Sequence, residues 1–146
     1  MKKFLAVIMV PTLLLLCGCD RYQVKLNDRE LYSPPVLFTD YKIPDSSLNS
    51  CIKQTIIDQK ITSAEQLTNI ICTYGGINDL SGLVRFTQLN SINLSNNEII
   101  DIKPLMFLGE LKQVNLAGNP NIKCKDLEAL SKLLLNKVSS NENCLQ

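Results

Sequence analysis

The sequence has no histidine and no tryptophan among its 146 residues, and aromatic residues make up only 5% of it. Without histidine there is no catalysis by an imidazole acid or base, and no metal site with histidine ligands. The sequence also lacks the G-x-S-x-G, P-loop and H-E-x-x-H motifs of hydrolases, nucleotide-binding proteins and metalloproteases. We therefore expect no enzymatic activity, no cofactor and no metal.

A charge excess of either sign is also missing. The chain carries 15 basic and 14 acidic residues, whereas a nucleic-acid-binding domain needs a clear basic excess. The hydrophobic fraction of 45% is nevertheless sufficient for a packed core. The length and composition therefore predict one small globular domain that does not bind nucleic acid.

The N-terminus has the organisation of an export signal. Two lysines at positions 2 and 3 precede an apolar run, residues 4–16, that is shorter than the roughly 20 residues of a membrane span. The next residues, L-C-G-C at 16–19, resemble the lipobox of bacterial lipoproteins. This resemblance implies a signal peptide at 1–18 and a diacylglycerol on Cys19, usually with a further acyl chain such as palmitate. The alternative is an ordinary secretory signal with two incidental cysteines.

A lipid on Cys19 would anchor the protein to a membrane of the bacterial envelope, facing the periplasm or the exterior. An acidic residue after the lipidated cysteine resembles the inner-membrane retention signal of enterobacterial lipoproteins, so Asp20 slightly favours the inner membrane over the outer. Residues 19–44 have no sustained periodicity, and their Pro34-Pro35 pair blocks a helix, which predicts a partly extended, lipidated tether. Alternatively, residues 36–38 pack as a strand on the domain.

An internal repeat of 22 residues occupies positions 67–132, and such a repeat determines the fold. Leu67, Leu89 and Leu111 begin three copies, and six further apolar columns keep the same register without a gap. The columns are Ile70, Ile92 and Val114; Cys72, Leu94 and Leu116; Ile77 and Ile99, broken at Asn121 beside Ile122; Leu80, Ile102 and Cys124; Leu83, Leu105 and Leu127; and Phe86, Leu108 and Leu130.

The middle copy, LNSINLSNNEIIDIKPLMFLGE, resembles the leucine-rich repeat of internalin-like proteins, with the core L-x-x-I-x-L-x-x-N-x-I. The first copy departs from it, with Cys72 at a leucine position and Gly75 at the asparagine position. The resemblance implies an α/β solenoid, a short stack of about three repeats with parallel strands. Burial requires the same arrangement, because a short strand with an apolar face can bury it only by stacking on its neighbours. We expect Asn97 and Asn119 to bond backbone groups inside the turns.

The 22-residue pattern fails on both sides of the repeats, where we expect helical caps that cover the terminal apolar faces. The N-terminal cap comprises residues 45–66, with a helix over 46–58 that has a serine N-cap at 46 or 47. Thr62 and Glu65 fit a capping box that begins another helical turn. The C-terminal cap comprises residues 133–146, and apolar spacing predicts a helix over 125–138.

Four cysteines remain beyond the predicted lipidation site, and an even number in an exported domain indicates disulfides. Among the three possible pairings we expect Cys51–Cys72 and Cys124–Cys144, because each pair would join a cap to the adjacent repeat. A zinc site of four cysteines is the alternative, but the C-x₂-C spacing typical of such sites is absent.

Strand residues between the buried positions should form a small, neutral, amide-rich concave face that binds an unidentified protein. The alternatives are an immunity or inhibitor lipoprotein that neutralises a toxin, and a structural assembly factor of an envelope complex. Asp79 and Asp101 share a repeat column, so a pair of catalytic carboxylates is conceivable, although a solvated turn role is favoured. We expect a monomer. The residues predicted to contact the partner are Asn69, Ile71, Ser91, Asn93, Gln113 and Asn115.

Overall fold

The computed structural model describes residues 23–134, 137–140 and 144. The predicted signal peptide and Cys19 lie outside these residues. The chain divides into two compact units, Met1–Pro34 and Pro35–Gln146.

The first unit contains an antiparallel hairpin of β1 (Val24–Leu26) and β2 (Arg29–Tyr32). Asn27 and Asp28 form the two-residue connection, and both have positive φ angles, of 49° and 59°. Asparagine and aspartate tolerate this left-handed conformation better than other non-glycine residues, and two-residue hairpin loops require it. The tether prediction missed this hairpin.

The second unit is built on four parallel strands in the sheet order β3-β4-β5-β6. Residues paired between neighbouring strands lie 22 positions apart, since Asn69 pairs with Ser91 and Ser91 pairs with Gln113. We call residues 67–88, 89–110 and 111–132 the first, second and third coils. The strands are β3 (Asn69–Ile71), β4 (Ser91–Asn93), β5 (Gln113–Asn115) and β6 (Val138–Ser139).

The core of this unit is formed by the repeated apolar columns. Every predicted column residue is buried except Cys124, which is exposed. In the first two coils the chain continues beyond the strand into short 3₁₀ helices, Leu83–Arg85 and Lys103–Phe107. The second of these begins next to Pro104, whose fixed φ suits the first helical turn. The 22-residue spacing therefore places one buried residue of each column directly beside its equivalent in the next coil.

Helix α1 (Ser46–Gln59) covers the N-terminal end of this core with Leu48, Ile52 and Ile56. Its N-cap is Asp45 and not Ser46 or Ser47, because the Asp45 carboxylate accepts the backbone N–H of Leu48 at 2.9 Å. The carboxylate also accepts the backbone N–H groups of Asn78 and Asp79 in the first coil, at 3.0 and 3.3 Å. A serine hydroxyl could not span both sites, which explains why aspartate occupies the cap.

The predicted capping box of Thr62 and Glu65 is replaced by another contact. The 3₁₀ helix Ala64–Gln66 begins after Ser63, which makes no side-chain capping bond. The Gln66 side chain instead reaches back to accept the backbone N–H of Thr62 at 2.8 Å. The helical turn is therefore present, but a glutamine one residue later closes it.

The C-terminal cap differs from the predicted helix over 125–138. Helix α2 (Cys124–Leu133) ends earlier, and Val138 lies in β6, beside Val114 of β5. The pairing satisfies backbone groups at the edge of β5, since Leu116 donates its N–H to Ser139 at 2.6 Å, and it buries Val138. Tertiary pairing of a β-branched residue therefore outweighs its position in the helical pattern.

Residues 35–44 belong to the second unit, which corrects the prediction that the tether extends to residue 44. Phe38 and Tyr41 form an aromatic cluster with the buried Phe86, with ring centroids 5.6–6.2 Å apart. The chain passes so close to the first coil that a Cβ at Gly82, where φ is +92°, would collide with the carbonyl oxygen of Lys42. The segment is irregular, so the alternative of a strand at 36–38 is also wrong.

Both predicted disulfide pairs are present. Cys51 of α1 is joined to Cys72 of the first coil, with their Cα atoms 5.9 Å apart. Cys124, the first residue of α2, is joined to Cys144, with their Cα atoms 4.9 Å apart. One link fixes the N-terminal cap to the sheet, and the other ties the residues after β6 back to the start of α2.

Candidate functional site

The candidate site is a groove of about 510 Å³ on the side of the sheet that faces away from α2 and the 3₁₀ helices. Alternation along each strand creates it, because the middle residue points into the core and its neighbours point outward. We call this surface the open face. It comprises the groove-lining residues Ile71, Ser91, Asn93, Gln113, Asn115, Lys137 and Ser139, together with Asn69, which pairs with Ser91 but does not line the groove.

All six predicted contact residues lie together on the open face. They form two rows across the strands, and the two asparagines Asn93 and Asn115 are neighbours in one of them. The structure adds Lys137, which the sequence pattern had assigned to a helix, and Ser139, which lay in the predicted C-terminal cap. The polar–apolar–polar alternation of residues 137–139 was the sequence signal for a strand, but three residues are too few to distinguish it from helical spacing.

Asn93 and Asn115 are fixed in the same conformation. The Asn93 Oδ1 atom accepts the backbone N–H of Ser95 at 3.1 Å, and the Asn115 Oδ1 atom accepts that of Ala117 at 3.1 Å. With each oxygen occupied by its own chain, the amide nitrogen is the part of the side chain left to donate to a ligand. The face therefore presents hydrogen-bond donors that are oriented before anything binds.

Asn97 supports the turns beneath this face, as predicted. It is buried, and its Oδ1 atom accepts the backbone N–H groups of Gly75 at 2.9 Å and Ile77 at 3.2 Å. Its amide nitrogen donates to the carbonyl oxygens of Cys72 at 2.8 Å and Leu94 at 2.9 Å. One side chain therefore satisfies backbone groups in two successive coils.

Asn119 repeats this role one coil later. Its Oδ1 atom accepts the backbone N–H of Ile99 at 3.2 Å, and its amide nitrogen donates to the carbonyl oxygens of Leu94 and Leu116 at 3.0 and 2.9 Å. Both asparagines thus belong to the scaffold and not to the open face.

The two carboxylates considered as a catalytic pair stabilise turns. Asp79 accepts the backbone N–H of Ser81 at 2.7 Å, and Asp101 accepts that of Lys103 at 2.9 Å. In each case the carboxylate of one residue accepts the backbone N–H of the residue two positions later, as in an Asx turn. The residues that the structure describes contain no cluster of three acidic, cysteine or histidine side chains that could hold a metal ion.

Within the described ranges, no helix has the length and apolarity needed to cross a membrane. The longest is α1, which has 14 residues and only one buried face. This result concerns the described residues and leaves the predicted lipid anchor as an expectation.

No family model and no curated protein sequence matches the chain. Among solved structures, an internalin from Listeria monocytogenes is similar, with 25% sequence identity and a TM-score of 0.54. The match covers 67% of this chain but only 29% of the internalin, so the chain corresponds to less than a third of that protein. A structure of the CBM51-2 and INT domains of ZmpB from Clostridium perfringens matches more weakly, at 24% identity over 59% of this chain and 20% of that one, with a TM-score of 0.40. The chain has an internalin-like fold.

Proposed function

We propose that this protein is a lipid-anchored leucine-rich-repeat lipoprotein of the bacterial envelope, in which a short solenoid binds another protein through the open face. The observation that carries the proposal is the set of outward strand residues that the core does not use. Ile71 keeps 72% of its surface exposed, and Gln113 is also exposed, although both belong to regular strands. The internalin-like fold supports a protein-binding role.

Rigidity of the open face favours binding. The parallel ladder holds the strands in register, the inner asparagines fix the turns, and the oxygens of Asn93 and Asn115 are already bonded. A partner would therefore lose little conformational freedom on the side of this protein, which lowers the entropic cost of association. Strands of three residues make the face narrow, so the surface contacted by the partner is small.

The anchor is part of the same proposal and rests on the lipobox-like sequence that ends at Cys19. Several acyl chains hold a protein at a membrane because each buried CH₂ contributes about 0.8 kcal/mol.

A Cys19→Ser variant should lose the lipid, since only the thiol accepts the diacylglycerol group. We expect it to keep the precursor mass or to appear in the soluble fraction, as measured by intact mass spectrometry and fractionation. A variant that is still processed and membrane-bound would exclude the anchor while leaving the open face untouched.

The open face is tested with a double variant, Ser91→Glu with Gln113→Glu. Neither side chain forms part of the core, so the change should alter the unfolding free energy by no more than about 0.5 kcal/mol per site. Two carboxylates on the groove should prevent a partner from docking, because their burial would be costly. Asn93 and Asn115 are unsuitable for this purpose, because replacing them would also remove their bonds to the chain.

The matched control is Thr87→Glu with Asn121→Glu, which adds the same charge at exposed positions outside the open face. Crosslinking in intact cells, followed by mass spectrometry, would compare the partners of the wild type and both variants. We expect the open-face variant to lose at least one crosslinked protein that the control retains. Identical crosslinked partners in all three would exclude the open face as the binding site.

A further inference from the structure

Tyr74 occupies a backbone position that suits it poorly. The equivalent residues of the first, second and third coils are Tyr74, Asn96 and Gly118, and their φ angles are +56°, +59° and +75°. Asparagine and glycine adopt this left-handed conformation readily, whereas a bulky side chain does so at a cost. Packing does not offset this cost, because 80% of the Tyr74 surface is exposed.

The first coil departs from its neighbours at a second exposed position, three residues earlier in the chain. Ile71 stands in the row where the next coils have Asn93 and Asn115, and it is 72% exposed. Tyr74 follows Ile71 by three residues at the end of β3. Ile71 therefore makes the β3 end of its row on the open face apolar, and tyrosine is among the residues that most often dominate binding energy at protein interfaces.

The opposite end of the open face is positively charged. Lys137 immediately precedes β6, lines the groove and forms no ion pair with any residue that the structure describes. Between the two ends lie Asn93 and Asn115, whose amide nitrogens are oriented as donors. The surface therefore changes from apolar, through neutral donors, to cationic across four strands.

The dimensions of this surface fit one extended chain. Three inter-strand steps of roughly 4.8 Å separate β3 from β6, and the two-residue offset of Lys137 along its strand brings the distance from Ile71 to about 16 Å. An extended peptide covers that distance in four to five residues at about 3.3 Å per residue. The strands themselves are three residues long, or about 10 Å, which matches the width of one extended chain together with its side chains.

We propose that the occupant of the open face is an extended segment of the partner protein. One apolar side chain of this segment packs against Ile71 and Tyr74, and one carboxylate of the segment pairs with Lys137. The two groups lie four to five residues apart in the segment, and its backbone carbonyls accept from Asn93 and Asn115. This inference rests on the proposed function and specifies the chemistry of the partner. The carboxylate is that of an aspartate side chain, a glutamate side chain or a free C-terminus, since all three present the same chemical group.

The test is selection from a displayed library of random heptapeptides against the full-length protein in detergent micelles. Selected sequences should carry an aromatic or aliphatic residue followed, four or five positions later, by aspartate, glutamate or the C-terminus. The Lys137→Glu variant should bind these peptides at least tenfold more weakly and select basic residues instead. Lys125→Glu, which makes the same change at an exposed position on α2, should bind them like the wild type.

Tyr74→Asn separates recognition from structure. It introduces the residue that the second coil has at this position, so its melting temperature should equal or exceed that of the wild type, while peptide affinity falls at least tenfold. Phe107→Asn removes an equally exposed aromatic side chain from a 3₁₀ helix and should leave affinity unchanged. A Tyr74→Asn variant that melts at a lower temperature and binds normally would show a structural role and overturn the inference.

Selected peptides without a carboxylate group, or an undisturbed affinity in Lys137→Glu, would also overturn it, as would a selection that enriches no sequence. None of these results bears on whether a protein binds the open face, which is decided by the crosslinking of the Ser91 and Gln113 variant. Loss of a crosslinked partner together with a failed selection would leave the proposed function standing and remove only the peptide model.

Discussion

Replacement of Asn97 by alanine should be among the most destabilising single changes in the second unit. The side chain is 4% exposed and makes five hydrogen bonds of 2.8–3.3 Å, all to backbone groups. Alanine leaves the N–H of Ile77 and the carbonyl of Cys72 without this partner inside the unit. Leu94 is protected, because its carbonyl also accepts from Asn119.

The magnitude follows from the groups that lose their partners. Each buried donor or acceptor left unpaired costs about 1–3 kcal/mol, whereas the exposed Gly75 can exchange its bond for one with water. Two such groups give a loss of about 2–6 kcal/mol, and a water molecule in the vacated space would place the result in the lower half of this range. For a unit of this size, a loss of about 3 kcal/mol lowers the melting temperature by roughly 10–15 °C.

Urea and thermal unfolding, followed by circular dichroism on oxidised protein, would measure the loss. Asn119→Ala should cost less, because Asn119 makes three of these bonds and one of its acceptors is shared. Asn121→Ala is the matched control at an exposed position and should remain within about 0.5 kcal/mol of the wild type. An Asn97→Ala variant as stable as this control would refute the claim that the amide satisfies otherwise unpaired backbone groups.

Two further predictions concern the N-terminal cap. Cys51→Ser with Cys72→Ser opens a loop of 21 residues and should lower the unfolding free energy by about 3 kcal/mol in urea titrations; a loss below about 1 kcal/mol would contradict the role of this link. Partial burial disfavours the charge of Asp45, but backbone N–H groups including those of Asn78 and Leu48 outweigh it and lower the pKa of the carboxyl group below its usual 3.8. Its contribution to stability is therefore complete above the unfolded-state pKa and is lost as the pH falls through the lower folded-state value. In Asp45→Asn this acid-dependent part should vanish, and an unchanged stability profile below pH 5 would show that other carboxyl groups cause it.

Much of the second unit could be predicted because the same spacing of apolar residues occurs three times in its sequence. A column such as Leu67, Leu89 and Leu111 fixes both the register of the strands and the direction of the core, and burial follows it. The disulfides followed from the same register, because each cysteine pair joined a cap to a coil. Comparison of the three copies therefore identifies the buried positions, which otherwise requires an alignment of related sequences.

The elements that occur only once were predicted poorly. β6 consists of Val138 and Ser139, and two residues carry no period that could distinguish a strand from the end of a helix. Residues 35–44 follow no secondary-structure period at all, because their packing depends on side chains such as Phe38 against Phe86. Gly82 was a usable signal, since a glycine that breaks the pattern indicates a close approach of another chain segment.

The comparison between coils also separates the scaffold from the candidate site. Asn93 and Asn97 are only four residues apart, yet Asn93 lies on the open face with its amide nitrogen left to donate, while Asn97 is buried with both polar atoms bonded to the backbone. Both recur in the third coil, so recurrence alone does not indicate binding.

The informative positions are those where the residue of one coil differs from its equivalents in the other coils and is nevertheless exposed. Ile71 and Tyr74 are the exposed apolar departures in the first coil, and both lie at the β3 end of the sheet. Because the stack neither repeats nor buries Ile71 and Tyr74, we expect these two side chains, and not the asparagines, to decide which partner binds.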